Sequence, residues 1–229
     1  MMVRTLGIDI SLNHGALFLL LNGEMLDFRF VTDRKTIVEK TSKSRAHGIY
    51  LSAAKLKDKQ QRDVLRACFW YSYLEQALRD MAPNYIAIED YAYRAPQSAY
   101  HLGEVGGAAR ILAWRSRARF RLHDPASLKM FAVHSGNANA QETMRGILAR
   151  WPKLEDAIGK FKDGKDERTV EDLCDAYALA KFVWLEVLLR NGRKKLSKLH
   201  PKEIQVFNRC TSRYPMNILA RDWLSRGAK

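Results

Sequence analysis

Cysteine is scarce in this 229-residue chain: Cys68, Cys174 and Cys210 are widely spaced and form no CxxC pair. That scarcity excludes a disulfide framework and a structural zinc site of usual spacing, and it fits a reducing compartment. Long apolar runs are also missing. The longest, GALFLLLNG, falls far short of the roughly 20 residues that a bilayer-spanning helix needs. The opening MMVRTLGIDI lacks the layout of a signal peptide. These absences lead us to expect a soluble, intracellular protein with no membrane partner: cytoplasmic, or in the host cytoplasm if the source is viral.

Acid is in short supply too. Lys and Arg number 39 against 25 Asp and Glu, a net charge of +14 and a pI near 9.8. A surplus of that size points to a polyanionic partner, and nucleic acid suits it better than a membrane. Hydrophobic residues make up 47%, enough for one sizeable core with or without extensions.

Reading along the chain, residues 3–31 are β in pattern. VRTLGIDI is a short apolar run ending in acid, and GALFLLL and EMLDFRFV flank Asn22-Gly23, the strongest short hairpin signal. Three consecutive antiparallel strands are expected. Residues 32–60 are charged and weakly periodic, and read as a mobile or partly helical insertion. Val64, Cys68, Tyr71, Leu74 and Leu78 keep helical spacing over 61–81, and Pro83 stops that helix. NYIAIEDY is a second buried strand that terminates in acid, at Glu89. SAYHLGEVGGAARILAW reads as a helix whose Gly103, Gly106, Gly107 and Ala108 would let another backbone approach. RARFRLHDP reads as a strand with Arg117, Arg119 and Arg121 on one face. Helices are expected around SLKMFAV and QETMRGILARW, then over 169–190, followed by a strongly basic tail. The order is that of an α/β fold: a mixed five-stranded sheet, antiparallel then parallel, with helices on both faces. It divides into a domain over 1–190, with its insertion at about 32–60, and a basic extension over 191–229.

The scarce acids are placed with a pattern. TLGIDI and YIAIED each run apolar and then present a carboxylate, Asp9 and Glu89, at a strand end, where open α/β sheets put their sites. EDLCDAYALAKFVWL carries Asp172 and Asp175 at i and i+3, on one helix face about 5–6 Å apart, where like charges repel. Leu173, Ala176, Ala180 and Val183 then face the sheet. An N-terminal cap would account for Asp172 alone, but not for these four acids together. Four converging carboxylates make chemical sense around divalent cations, and oxygen-only ligands suit Mg²⁺ or Mn²⁺ rather than zinc. Two such ions about 4 Å apart hydrolyse phosphodiesters. With the basic surface, the chemistry indicated is nucleic-acid hydrolysis.

This ordered set resembles the RuvC family of Holliday-junction resolvases, within the ribonuclease H-like fold. The matching residues are an Asp on the first strand (LGIDIS), a Glu ending the fourth (IAIED) and a D-x-x-D pair on the last helix (DLCDAYALA). The likeness covers 3–31 and 61–190. It implies a homodimeric endodeoxyribonuclease that nicks four-way DNA junctions symmetrically, leaving 5′-phosphate and 3′-hydroxyl ends. Its dimer helix would be about 98–115. Carried over, Asp9 would bridge two Mg²⁺ ions (Mn²⁺ substituting), Glu89 would complete one, and Asp172 and Asp175 the other. Lys129 would lie at the scissile phosphate.

The family's second Lys is absent from GNANAQ, so Arg145 or Lys162 would have to supply that contact. Its stacking aromatic is matched by Ala92, flanked by Tyr91 and Tyr93, either of which could stack on an opened base or pack under the loop. Arg94, Arg117, Arg119, Lys194 and Lys195 are the expected backbone contacts. The alternatives are a broader flap or fork nuclease, another nuclease of this fold, and a non-catalytic junction-binding protein. An actin-like or sugar-kinase ATPase also begins with a strand ending in Asp, but it needs a second glycine-rich phosphate loop that this chain lacks.

Overall fold

In the computed structural model, residues 2–41, 47–90, 99–158, 167–208 and 223 are described. The apolar runs form strands in the expected order. β1 (Arg4–Ile10), β2 (Gly15–Leu21) and β3 (Glu24–Thr32) are an antiparallel meander, while β5 (Tyr85–Glu89) and β6 (Arg119–His123) lie parallel beyond β1. The β2–β3 turn is the Asn-Gly pair, with positive φ at both Asn22 (52°) and Gly23 (86°), as a two-residue hairpin of matching twist requires.

The sheet has six strands, one more than the sequence led us to expect, in the order β4-β3-β2-β1-β5-β6. The extra edge strand, β4 (His47–Tyr50), comes from the insertion and runs parallel to β3. The insertion also contains helix α1 (Lys35–Thr41) and a 3₁₀ turn (Ser52–Lys55), so its described residues are folded onto the sheet. Its short, polar segments hid this, because β4 gains its order from pairing with β3 rather than from its own pattern.

Period-two alternation sorts the strands into two cores. Leu6, Ile8, Leu17, Leu19, Ile86 and Ile88 face α2 (Lys59–Met81) and α3 (Ala99–Arg115). Val3, Ala16, Phe18, Leu20, Tyr85 and Ala87 face the other side, against α7 (Glu167–Arg190), with α4 (Pro125–Val133), α5 (Ala140–Arg150) and α6 (Pro152–Ile158) around it. The α2 stripe differs from the expected one. Arg66, Trp70, Tyr73, Leu74, Ala77, Leu78 and Met81 are buried, whereas Val64 is 60% exposed. Sequence spacing fixes the helix but leaves open which of two apolar stripes meets the sheet.

Gly7 brings α7 onto the sheet. A Cβ there would lie 1.9 Å from the Ala176 carbonyl oxygen and 2.6 Å from the Ala180 nitrogen. Only glycine permits that approach. It sets the helix bearing Asp172 and Asp175 directly on the strand bearing Asp9. A final short helix, α8 (Pro201–Phe207), packs Val206 and Phe207 against Phe131 and Phe182.

Arg119 and Arg121 share one face of β6, opposite Phe120 and Leu122, but the arginines do not make an exposed row. Arg117 precedes the strand with φ of 64°, Arg119 is exposed, and Arg121 is only 3% exposed. Burial of Arg121 has a definite cause: its Nε and Nη2 donate to Glu186 at 3.1 and 2.9 Å. Period-two alternation places residues on faces, but it cannot show that a face is covered by a helix carrying a countercharge.

Candidate active site

Alternation also aims the two strand acids. Asp9 continues the face of Val3 and Gly7, and Glu89 that of Tyr85 and Ala87, so both turn toward α7. The parallel register pairs Ile8 with Ile88, which sets Asp9 beside Glu89 one step further on. Asp172 and Asp175 approach from the first turns of α7. Asp9 and Asp172 are each 8% exposed, while Glu89 and Asp175 are partly buried.

Such crowding opposes ionisation. Burial, and then the Asp172 charge, push the Asp9 carboxyl up to about 7. Burial also lifts Glu89 well above the usual carboxylate range, helped by Asp9 and Asp175. It lifts Asp175 likewise, helped by Asp9 and Asp172. Lys129 pulls both Glu89 and Asp175 back down. That lysine stands on α4, a helix started by Pro125 and capped by Asp124, and its Nζ donates to the Ala138 carbonyl at 2.8 Å. The structure therefore brings together all five residues expected at the centre: Asp9, Glu89, Lys129, Asp172 and Asp175.

His14 belongs to the site and was not foreseen. It ends the tight turn between β1 and β2, is 8% exposed, and sets its Nδ1 2.7 Å from Asp172 Oδ2. The Ser11 hydroxyl lies 2.9 Å from the same nitrogen and donates to the His14 carbonyl. The only sequence signal was a histidine in the short turn leaving the Asp9 strand, and a turn histidine carries no mark of what it faces.

The other expected contacts fare differently. Tyr91, Tyr93, Arg94 and Lys162 lie outside the described residues. Arg117 and Arg119 sit at the start of β6, and β5 runs about 13 Å from the same end of the sheet to Glu89. Lys194 and Lys195 follow α7, whose axis extends about 22 Å from Asp175 to Arg190. These basic residues therefore occupy the pole of the sheet away from the acids. Arg145 is exposed on α5.

Among the described residues no group of three or more His, Cys, Asp or Glu side chains is arranged to hold a metal ion. The donor set nevertheless fits a hard divalent cation. It is made of carboxylate oxygens, which burial and mutual repulsion make costly as anions and which a cation or a proton would relieve.

No protein-family model and no curated protein matches the chain. Solved structures do. The Thermus thermophilus RuvC structure aligns at TM-score 0.51 and 17% identity, over 80% of this chain and 96% of its own. T. thermophilus RuvC in complex with Holliday junction substrate aligns at TM-score 0.51 and 15% identity over the same shares. The yeast mitochondrial Holliday junction resolvase Ydc2 reaches TM-score 0.49 at 14% identity, over 78% of this chain and 76% of its own, and adds no weight to the assignment. At these identities the likeness is one of fold: the chain has the ribonuclease H-like fold of RuvC-type nucleases.

Proposed function

We propose that this protein is a divalent-metal-dependent endonuclease that resolves four-way DNA junctions. One observation carries the reading: carboxylates from two adjacent strand ends and one helix lie close enough to raise one another's pKa, with Lys129 beside them, in a chain of net charge +14. The RuvC fold, seen in one neighbour in complex with a Holliday junction, supports the choice of substrate.

Asp9, Glu89, Asp172 and Asp175 would hold the divalent ions, with Asp9 lying between the other acids. When bound, the ions supply Lewis acidity to the phosphodiester and to the attacking water. The chain does the rest. Gly7 fixes how close the two acid-bearing elements lie, and His14 orients the Asp172 carboxylate. Lys129 would offer positive charge to the phosphate, and in-line attack there would leave 5′-phosphate and 3′-hydroxyl ends.

Paired nicks need two such sites in a C2 dimer. Helix α3 supports one, because among the described residues a Cβ at Gly103 or Gly107 meets nothing within 4 Å, and Ile111 and Trp114 are 56% and 44% exposed. Residues 1–190 would form the nuclease and 191–229 a basic extension, acting on DNA inside the cell.

Cleavage of a synthetic four-way junction in Mg²⁺, beside linear duplex, fork and RNA–DNA hybrid, tests this. Wild type should give paired symmetric nicks in the junction, and Asp175→Asn should bind without cutting. Equal cutting of every substrate would make the protein a broad branched-DNA nuclease. Tight binding with no cutting in Mg²⁺ or Mn²⁺ would leave a non-catalytic junction-binding protein.

A further inference from the structure

The insertion builds something beside the acids. Thr32, at the end of β3, accepts from the Leu51 nitrogen at 2.9 Å and so ties the insertion's two ends together at the catalytic end of the sheet. Arg34 leaves from one side of that tie, its backbone nitrogen donating to the Thr32 hydroxyl at 3.3 Å. Lys55 returns on the other, at the close of the 3₁₀ turn. Between them and the start of α7 lies a cavity of about 290 Å³, lined by Asn13, His14, Arg34, Lys55, Arg168 and Thr169 among others. That is about ten water volumes, room for a phosphate with its sugar.

Three observations fix what this cavity suits. First, its charge: Arg34, Lys55 and Arg168 face a single acid, Asp33. Second, its polar wall: Asn13 and Thr169 also line it, an amide and a hydroxyl that can each donate to an anion. Third, its address: His14 lines the cavity and also contacts Asp172 at 2.7 Å, while Thr169 lies one helical turn before Asp172.

We propose that this cavity is a phosphate subsite, in which Arg34, Lys55 and Arg168 grip a backbone phosphate of the strand being cut, displaced along it from the scissile one. The inference rests on reading the acids as a nuclease centre. On it, the insertion fixes how far the strand is threaded past the acids, and so where it is cut. Arginine supplies a planar fork for phosphate oxygens, and Lys55 a mobile point charge.

The test uses Asp175→Asn protein, which binds without cutting, and four-way junctions in which one phosphate at a time on the cleaved strand is replaced by a neutral methylphosphonate. Affinity is read by fluorescence anisotropy across a salt series, with and without Arg34→Ala and Lys55→Ala. Both side chains are exposed, so truncating them removes no core contact. One methylphosphonate position should weaken binding about tenfold, and the double variant should show no further loss at that position. The double variant should also flatten the salt dependence by about one phosphate charge. Equal losses at every position in both proteins would overturn the subsite, as would inorganic phosphate displacing nothing while the salt slope stays unchanged. Failure of the Asp175→Asn parent to bind any junction would overturn the nuclease reading instead.

Discussion

At one end of α7, Asp172 and Asp175 look onto Asp9 and Glu89; at the other, Glu186 looks onto Arg121 and Arg190. Both ends bury carboxylate on the same helix. Glu186 is fully buried and accepts three guanidinium hydrogen bonds, from Arg121 at 3.1 and 2.9 Å and from Arg190 at 2.9 Å. Burial pushes its carboxyl up, and both guanidinium groups pull it back. Three N–H groups aimed at its two oxygens favour the ionised form against that burial. Trp223 covers the group, its ring 4.8 Å from the Arg121 guanidinium carbon and 5.2 Å from that of Arg190. The acidic end has Lys129 and His14 but no arginine among the groups that shift its carboxyls. One end is balanced by arginines within the fold, whereas the other leaves its carboxyls with raised pKa values, as the proposed cation site would. That contrast supports the proposed site, because strongly shifted carboxyls gather at functional sites.

Disrupting the acidic end should produce the largest effect. Asp9→Asn or Asp175→Asn should lower junction cleavage on the order of 10³-fold or more, as for members of a catalytic unit. In a chelator, the same proteins should melt above wild type by differential scanning fluorimetry. Loss of cleavage together with a lowered melting temperature would mean that the acids are structural.

Disrupting the paired end should do the reverse. Glu186→Gln leaves Arg121, 3% exposed, without its countercharge and should cost about 3–5 kcal/mol in urea unfolding. A midpoint unchanged from wild type would show the group to be solvated rather than buried. Replacing Glu186 and Arg121 together by Leu and Met should recover much of that loss.

The two ends separate further with pH. A carboxyl held at about 7 in the folded chain and near 3.8 in the unfolded one binds its proton more tightly when folded. Stability from Asp9 is therefore full below pH 4 and is lost as pH rises through 7. The gap between Asp9→Asn and wild type, without metal, should open from nothing at pH 4 to a few kcal/mol above pH 7. Millimolar Mg²⁺ should close it. A gap that stays flat across that window would show Asp9 ionised throughout.

The smallest effect belongs to the orienting contact. His14→Ala should weaken Mg²⁺ dependence about 10–100-fold, with cleavage restored at high Mg²⁺. Loss at all Mg²⁺ concentrations would make His14 a direct participant.

Much of this was legible in the residues. Apolar runs ending in acid, an Asn-Gly turn and a D-x-x-D pair on an apolar helix gave the strand order and the acidic residues, because alternation and helical spacing are local and carry direction. The contacts of His14 and Arg121 were not legible. His14 sits in a turn, and only folding brings Asp172 against it from 158 residues away. Arg121 continued an exposed arginine pattern until α7 supplied Glu186 above it. The insertion's strand was invisible because β4 has no apolar pattern of its own and depends on β3 for its hydrogen bonds.

Local pattern in the chain settles which residues are acidic, which elements carry them, and toward which face of the sheet they turn. Packing settles what each buried charge meets. Gly7 let α7 settle on β1, so that Asp172 and Asp175 met other acids while Glu186 met arginines. Whether a buried carboxylate is balanced depends on groups distant in sequence and a few ångströms away in space, and at that range only the packed chain fixes the sign of the neighbour.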